Sequence, residues 1–555
     1  MAEETNLSRW IDPQSGYCPQ TKTFHSLRPP VPLPPPSQPL SLTQYALSLL
    51  QSSVPDTTLA TTTALIDGSS GLHVSYSHLL RQIRSLSLSL QSQFSLSKGQ
   101  TAFVLSQTSV HVPVVYFALL SLGVVISPAN PLGSDSEVAH QGRLTRPAIA
   151  FATSSSAPKL PKALPTVLLD SPEFLSLLDR VDSADSVGSV PVYQTDTAAI
   201  LYSSGTTGRV KGVSLTHRNL IALIAGYYGL RREPAEPEEP RPVSLFLLPM
   251  FHVFGFFMLA RGVALGETMV LMARFDFEAM LRTVERHRVT SMPVSPPLVV
   301  ALVKSELTRR YDLSSLRVLG CGGAPLGEEV VKSFNAKFPN VEMSQGYGLT
   351  ETTGSVARMI EAEETKRTAS VGRLQENMEA KIVDPVTGQA LPPNHKGELW
   401  LRGPTIMRGY IGDEKATAET VDPEGWLKTG DLCMFDSEGY LYIVDRLKEL
   451  IKYKAYQVPP AELEHLLHSH PDIADVAVIP YPDEEAGQLP MAYVVRKPGS
   501  NLSEAQVIDF VAQKVAPYKK VRRVAFINSI PKSPAGKILR RELVNHALSK
   551  GSAKL

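Results

Sequence analysis

Ala198-Ala-Ile-Leu-Tyr-Ser-Ser-Gly-Thr-Thr-Gly-Arg-Val-Lys-Gly212 sets an apolar run against a turn rich in glycine and hydroxyl groups. The run predicts a buried strand. The turn carries three glycines, the hydroxyls of Ser203, Ser204, Thr206 and Thr207, and one lysine, Lys211. Glycine-rich turns after strands are natural anion sites, because backbone N–H groups point inward and a following helix adds a positive end. The turn is not a P-loop of the GxxxxGK[ST] kind: the glycine spacing differs, and Gly212 follows Lys211 where Ser or Thr would stand. A Ser/Thr/Gly surface turn without a ligand is the competing reading.

Outward from this stretch, residues of about 41 to 445 alternate short apolar runs with helix-length amphipathic segments. Ala148–Ala152, Thr166–Leu169, Ser244–Leu248 and Leu316–Leu319 read as buried strands with crossover helices between them, an α/β pattern. The Leu/Ser alternation at 85–90 has period two. Leu79, Ile83, Leu86 and Leu90 also fit one helical face, and a helix is preferred. Residues 1 to about 40 read as irregular, with Pro29–Pro36 as an extended surface segment. Arg231–Pro242 is a charged, proline-rich loop. Past 440 the texture changes to closely spaced basic residues, and Pro459-Pro460 opens a helix at Ala461. A small α+β domain is expected from about 446 to 546.

The bulk composition excludes several classes. With 555 residues the chain exceeds one core, so a large and a small domain are expected. A formal net charge of +1 gives no general attraction to nucleic acid. Three scattered cysteines, Cys18, Cys321 and Cys433, build neither a disulfide framework nor a zinc site and fit a reducing compartment. The acidic start is not a signal peptide. The uncharged stretch between Lys98 and Asp135 is broken by Pro113 and Gly123 and does not read as a membrane span. The terminal Ala553-Lys554-Leu555 keeps the small, basic, leucine order of a peroxisomal address, with cytosol as the alternative.

Four further clusters could each supply part of a nucleotide site. Gln345-Gly-Tyr-Gly-Leu-Thr-Glu-Thr352 joins tight-turn glycines to an aromatic, a hydroxyl and a carboxylate. Trp426-Leu-Lys-Thr-Gly-Asp431 ends in an aspartate suited to vicinal ribose hydroxyls. Asp445-Arg-Leu-Lys-Glu449 and Pro531-Lys-Ser-Pro-Ala-Gly-Lys537 complete the set.

With these motifs in this order, the chain resembles the adenylate-forming superfamily of acyl-CoA synthetases, adenylation domains and luciferases over about residues 40–546. Within it, the likeness is to plant peroxisomal 4-coumarate:CoA ligase-like enzymes. The resemblance implies a large N-terminal domain of layered α/β sheets plus a small β-barrel (residues 1–445). A small mobile α+β C-terminal domain (446–555) would follow, with Lys448 at the hinge. It implies an ATP-dependent acid:CoA ligase that passes through an acyl-AMP and uses Mg²⁺ and CoA.

Residue by residue, Ser203, Ser204, Gly205, Thr206, Thr207, Gly208 and Lys211 correspond to the loop that handles the β- and γ-phosphates. Gly322-Gly-Ala-Pro325 matches the turn against adenine, through Gly323 and Ala324. Gln345, Gly346, Tyr347 and Gly348 extend that face, with Tyr347 stacked on the base. Thr350 would touch the α-phosphate and Glu351 would ligate Mg²⁺. Asp431 and Arg446 would hold the ribose, and Lys537 would reach the acyl carboxylate and the α-phosphate. Lys452 and Gln457 match a segment used in both half-reactions, and Lys454 and Ala455 lie where CoA passes. His252 would gate the junction of acyl pocket and CoA tunnel. Phe254, Gly322, Gly346, Gly354 and Ser355 would line the pocket.

The sequence departs from true 4-coumarate:CoA ligases at several points. Phe254 stands where they have tyrosine, Gly354-Ser355 replaces Pro-Val, and Gly397-Glu-Leu-Trp-Leu-Arg-Gly403 differs from Gly-Glu-Ile-Cys-Ile-Arg-Gly. Arg209-Val210 replaces Leu-Pro in the phosphate loop, and Ala455 stands where many relatives have glycine. These changes favour a fatty acid, a jasmonate-precursor oxylipin or a substituted cinnamic acid over 4-coumarate. A 4-coumarate ligase, a luciferase-like oxygenase, a carrier-dependent adenylation domain and a non-catalytic binder remain the alternatives. No carrier segment is read after residue 546. No nucleic-acid partner or transmembrane segment is expected, and the import receptor is the one protein partner foreseen.

Overall fold

The computed structural model describes residues 10–179, 191–203, 210–231, 241–324, 326–454, 456–533 and 536–551. Among them the strands gather into four sheets.

Two sheets are largely parallel, as runs joined by crossover helices require. One has nine strands, with Glu342–Tyr347, Val318–Cys321, Ser291–Val294, Val243–Phe246, Thr268–Leu271 and Thr63–Asp67 side by side and parallel. The other has seven, with Thr166–Leu168, Ile149–Ala152, Thr101–Leu105, Val125–Pro128 and Thr197–Ser203 parallel. The strands expected at 148–152, 166–169 and 244–248 appear within a residue or two of those limits. The one expected at 316–319 begins at Val318 and runs to Cys321.

The helix Tyr76–Phe94 lies in the core associated with both sheets. Leu79, Ile83, Leu86 and Leu90 are all buried, yet so are Ser85, Ser87 and Ser89. Their hydroxyls donate to the carbonyls of Leu177, Ile83 and Leu177 at 3.0, 2.8 and 3.3 Å. The period-two pattern is therefore a helix buried on several sides, its serines satisfied by backbone oxygens.

The third sheet is antiparallel throughout and stands where the small barrel was expected, its strands paired as an open path. Its core holds Phe24, Ala380, Ile382, Leu399, Leu401, Cys433, Phe435 and Leu441. It corrects the reading of residues 1–40 as irregular: Tyr17–Cys18 and Thr23–His25 are strands, the second paired with Glu379–Val383. Strands of two and three residues leave no periodicity to read. The proline segment after them is surface chain, and the Pro34 and Pro35 carbonyls accept from Arg218 and Gln194.

The fourth sheet belongs to the C-terminal segment. Strands Ile451–Tyr453, Tyr456–Val458, Ile473–Asp483, Gly487–Arg496 and Arg523–Phe526 pack on the helix Pro460–His468 and on Glu504–Ala512. Ile451, Leu463, Leu467, Val476, Val494, Val507 and Val511 are fully buried there. All three cysteines are buried thiols. No helix among the described residues is long and apolar enough to cross a membrane. Most of the proline-rich loop at 231–242 lies outside the described residues.

Candidate active site

The phosphate-loop stretch forms a hairpin. Thr197–Ser203 pairs antiparallel with Lys211–Thr216, and only then does the helix His217–Gly229 begin. The expected helix end directly behind the turn is thus replaced by a strand, and Lys211 carries the fixed positive charge there. Ser204, Gly205, Thr206, Thr207, Gly208 and Arg209 lie outside the described residues, as do Pro325, Ala455 and Ala553–Leu555. Ser203 ends the first strand.

Lys211 Nζ sits 4.4 Å from the centroid of the Tyr410 ring. Tyr410 lies on the strand Gly409–Tyr410 that pairs beside it, and its hydroxyl donates to Glu351 Oε1 at 2.9 Å. The tyrosine therefore joins the loop lysine to the expected metal carboxylate, a link sequence reasoning missed. Burial next to Glu351 raises the Tyr410 phenol well above its ordinary range. Glu351 and the buried Thr350 start a short 3-10 turn after the strand Glu342–Tyr347. A single carboxylate beside a phosphate loop fits Mg²⁺, which keeps waters and takes most other ligands from substrate phosphates.

A cavity of about 590 Å³ opens at the carboxyl ends of the nine-stranded sheet, the usual place for a ligand in an open α/β sheet. Gly323, Ala324, Gln345, Gly346, Tyr347 and Gly348 line it from that sheet, Asp431 and Arg446 from the antiparallel sheet, and Lys537 from the C-terminal segment. Gly323 has φ +87, a turn that glycine allows without strain. A Cβ on Gly348 would fall 2.3 Å from the Gly354 carbonyl oxygen, so only glycine fits that approach.

Asp431 and Arg446 are cross-strand partners, with Arg446 Nε 3.4 Å from Asp431 Oδ1. The Tyr347 hydroxyl donates to Asp431 Oδ2 at 2.5 Å. Burial raises the Asp431 carboxyl, while Arg446 and Tyr347 pull it back. Asp445 accepts from the N–H groups of Arg446 and Ala461 at 2.7 and 3.0 Å, tying this strand to the helix Pro460–His468. Burial pushes its carboxyl up to about 6.

Lys537 is brought to this floor by a loop stitched across itself. Its N–H donates to Ser533 Oγ at 3.2 Å, and Gly536, at φ +81, passes the Ser295 hydroxyl so closely that a Cβ would lie 2.9 Å from it. Burial, then the nearby Arg446, pulls the Lys537 ammonium down to about 8, against the opposing pull of Glu449 and Asp431. Arg540 donates to Glu449 at 2.8 Å and to Glu464 at 2.9 Å, clamping the same corner. Sequence reasoning missed Arg540 and Glu464 as a clamp, because the partners lie 76 residues apart. Lys304 Nζ donates to the Ile473 and Ala474 carbonyls at 2.8 and 3.4 Å, a bond from the large domain across the cleft to the C-terminal segment.

Other expected residues are not gathered here. Lys448 is exposed in the turn after Arg446. Lys452 and Gln457 face each other across an exposed hairpin outside the cavity, and Lys454, at its tip, pairs with Glu485 at 3.0 Å.

His252 caps the helix Val253–Ala264, its Nδ1 accepting from the Phe254 N–H at 3.3 Å. Burial lowers its pKa to about 4, so it stands neutral. A Cβ on Gly322 would meet the Phe254 ring at 3.5 Å and the Gly346 oxygen at 3.4 Å. One on Gly354 would meet Phe257 at 2.6 Å, and Ser355 Oγ accepts from Gln375 at 2.6 Å.

The family model described as AMP-binding enzyme matches residues 56–411, and that of its C-terminal domain matches 462–537. The chain belongs to the AMP-binding enzyme family. 4-coumarate–CoA ligase-like 9 of Arabidopsis thaliana is 60% identical, with 100% of each chain covered. Peroxisomal OPC-8:0-CoA ligase 1 of the same plant is 45% identical, over 97% of this chain and 99% of that one. Among solved structures, o-succinylbenzoate CoA synthetase from Bacillus subtilis, in complex with an acyl-adenylate, is 26% identical with TM-score 0.75. The match covers 90% of this chain and 97% of that one. Amide bond synthetase McbA from Marinactinospora thermotolerans is 25% identical with TM-score 0.79, covering 91% and 99%. The AMP-binding fold thus accounts for both the layered α/β sheets and the small C-terminal unit.

Proposed function

We propose that this AMP-binding enzyme works as an ATP-dependent carboxylic acid:CoA ligase on a fatty acid, an oxylipin or a substituted cinnamic acid. Its activity class is that of an acid–thiol ligase, with ATP and CoA as co-substrates and Mg²⁺ as the metal. The observation that carries the proposed division of roles is the meeting of Lys537 with Asp431, Arg446 and Tyr347 around one cavity.

In this reading the large domain (1–445) holds ATP and the small domain (446–555) swings on the turn at Lys448. A carboxylate oxygen attacks the α-phosphorus, and the new oxygen–phosphorus bond makes the acyl-AMP anhydride. The bond from the α-phosphorus to the bridging oxygen breaks, and pyrophosphate leaves with that oxygen. Lys537 lies against the charge that builds on the phosphoryl oxygens and stabilises it. Tyr347, Asp431 and Arg446 orient base and ribose, Thr350 touches the α-phosphate, and the phosphate loop with Lys211 holds the departing pyrophosphate. Glu351 would hold Mg²⁺, which would supply neutralising charge for the phosphates. CoA sulfur then attacks the acyl carbon and AMP leaves. For that step the hairpin with Lys452, Lys454 and Gln457 replaces Lys537 at the site, and neutral His252 guards the CoA entry.

Phe254, with no hydroxyl to offer a phenol, argues against 4-coumarate. The tail Ala553-Lys554-Leu555 is the proposed peroxisomal address, in line with the compartment in one relative's name. Pyrophosphate exchange into ATP that depends on an added carboxylic acid, followed by acyl-CoA formation on adding CoA, is the expected result. Exchange without any acid, or none with a broad acid panel, contradicts the reading. A tagged protein lacking the last three residues is expected in the cytosol, and continued peroxisomal import would refute the address.

A further inference from the structure

The aromatic side chains beside the expected acyl pocket form a ladder that ends on a buried charge. Phe254 and Phe257 stack with ring centroids 5.6 Å apart, and Phe257 and Tyr227 at 5.8 Å. The Arg358 guanidinium then covers the Tyr227 ring at 3.8 Å. Arg358 pairs across the strands with Gly346, and a Cβ on Gly346 would lie 3.8 Å from that of Arg358. Cross-strand neighbours point to one face of a sheet, so Arg358 shares the face of Gly346.

Arg358 is 9% exposed, yet its donors are under-used. One Nη2–H donates to the Gly226 carbonyl at 3.1 Å, and Nε has no hydrogen-bond partner. Glu376 Oε2 is 3.7 Å from Nη2, too far for a hydrogen bond, and is itself without one. A buried polar group left unpaired costs stability, and a pocket for plain hydrocarbon gains nothing from it. Glu376 balances the arginine's charge, so the pair as a whole calls for a neutral oxygen rather than a second anion.

We propose that Arg358, backed by Glu376, reads a ketone or hydroxyl oxygen carried by the acyl substrate away from its carboxylate. The enzyme then prefers oxygenated chains to plain ones, and Arg358 is its specificity-determining residue. This rests on the acyl-pocket assignment made above. The guanidinium donates to the substrate oxygen, and a chain lacking that oxygen leaves the donor unpaired, which is how polar sites reject apolar analogues.

The test uses acid-dependent pyrophosphate exchange with dodecanoic acid and a series of its keto derivatives, the ketone moved along the chain. For the natural enzyme kcat/KM is expected to peak at one ketone position, at least about tenfold above the plain acid. In Arg358→Met/Glu376→Met, which leaves no lone charge behind, the peak is expected to vanish while exchange with dodecanoic acid persists. Arg358→Lys should restore part of it. A natural enzyme indifferent to ketone position overturns the proposal without need of any variant. So does a peak that survives in the double variant, or an equal loss for all acids. Exchange with none of the acids takes the acid:CoA ligase reading down with it, whereas exchange without positional preference overturns only this inference.

Discussion

Lys537 and Lys452 belong to the same C-terminal segment, yet they live in opposite settings. Lys537 lines the nucleotide cavity, its ammonium pulled down to about 8 by burial and by Arg446, with acidic neighbours on the other side. Lys452 is exposed on a hairpin that does not line that cavity, and faces Gln457. The difference teaches that one small unit presents two chemical faces, one committed to the cavity and the other turned to solvent. The committed face is held across the cleft by Lys304 on the carbonyls of Ile473 and Ala474, while Arg540 clamps Glu449 and Glu464 within the C-terminal segment itself.

The largest expected effect comes from removing that clamp. Arg540→Met leaves Glu449 and the buried Glu464 without their cation, a loss of about 3–5 kcal/mol of stability. Urea unfolding of the variant measures it, and an unchanged midpoint would mean that packing alone holds that corner of the C-terminal segment. Next, Lys537→Ala is expected to slow acid-dependent pyrophosphate exchange by roughly 10²–10³. Conversion of pre-made acyl-AMP by CoA should continue, and equal loss of both steps in a folded protein would erase the contrast between the two faces.

The motifs around Gly346, Asp431 and Lys537 were legible because glycine turns and their charged neighbours sit together in sequence. The same holds for the main strands, whose apolar runs are continuous. Tyr410, which joins Lys211 to Glu351, was not legible, since its strand reaches the loop only through folding. Arg540 and Glu464 escaped for the same reason. The strands at 17–25 were too short to show a period, whereas the helix over the Leu/Ser run was legible from Leu79, Ile83, Leu86 and Leu90. What its period-two pattern did not reveal is that the serines are buried and bond to backbone carbonyls.

A smaller effect concerns pH. In the proposed adenylation step only the charged form of Lys537 serves the phosphoryl oxygens, and that charge is lost as pH rises through about 8. The kcat/KM of adenylation should therefore be level below that point and fall about tenfold per pH unit well above it. Lys537→Arg, weaker but always charged, is expected to lack that alkaline fall. A fall of the same shape in both enzymes assigns the titration to another group.

The most direct test locks the committed face in place. A Cβ on Gly327 would lie 3.3 Å from that of His465, close to disulfide geometry, and the three native thiols are buried. In oxidised Gly327→Cys/His465→Cys, pyrophosphate exchange is predicted to continue while acyl-CoA formation stops, and reductant should restore it. Acyl-CoA formation at the same rate in the oxidised and reduced enzyme would contradict the account.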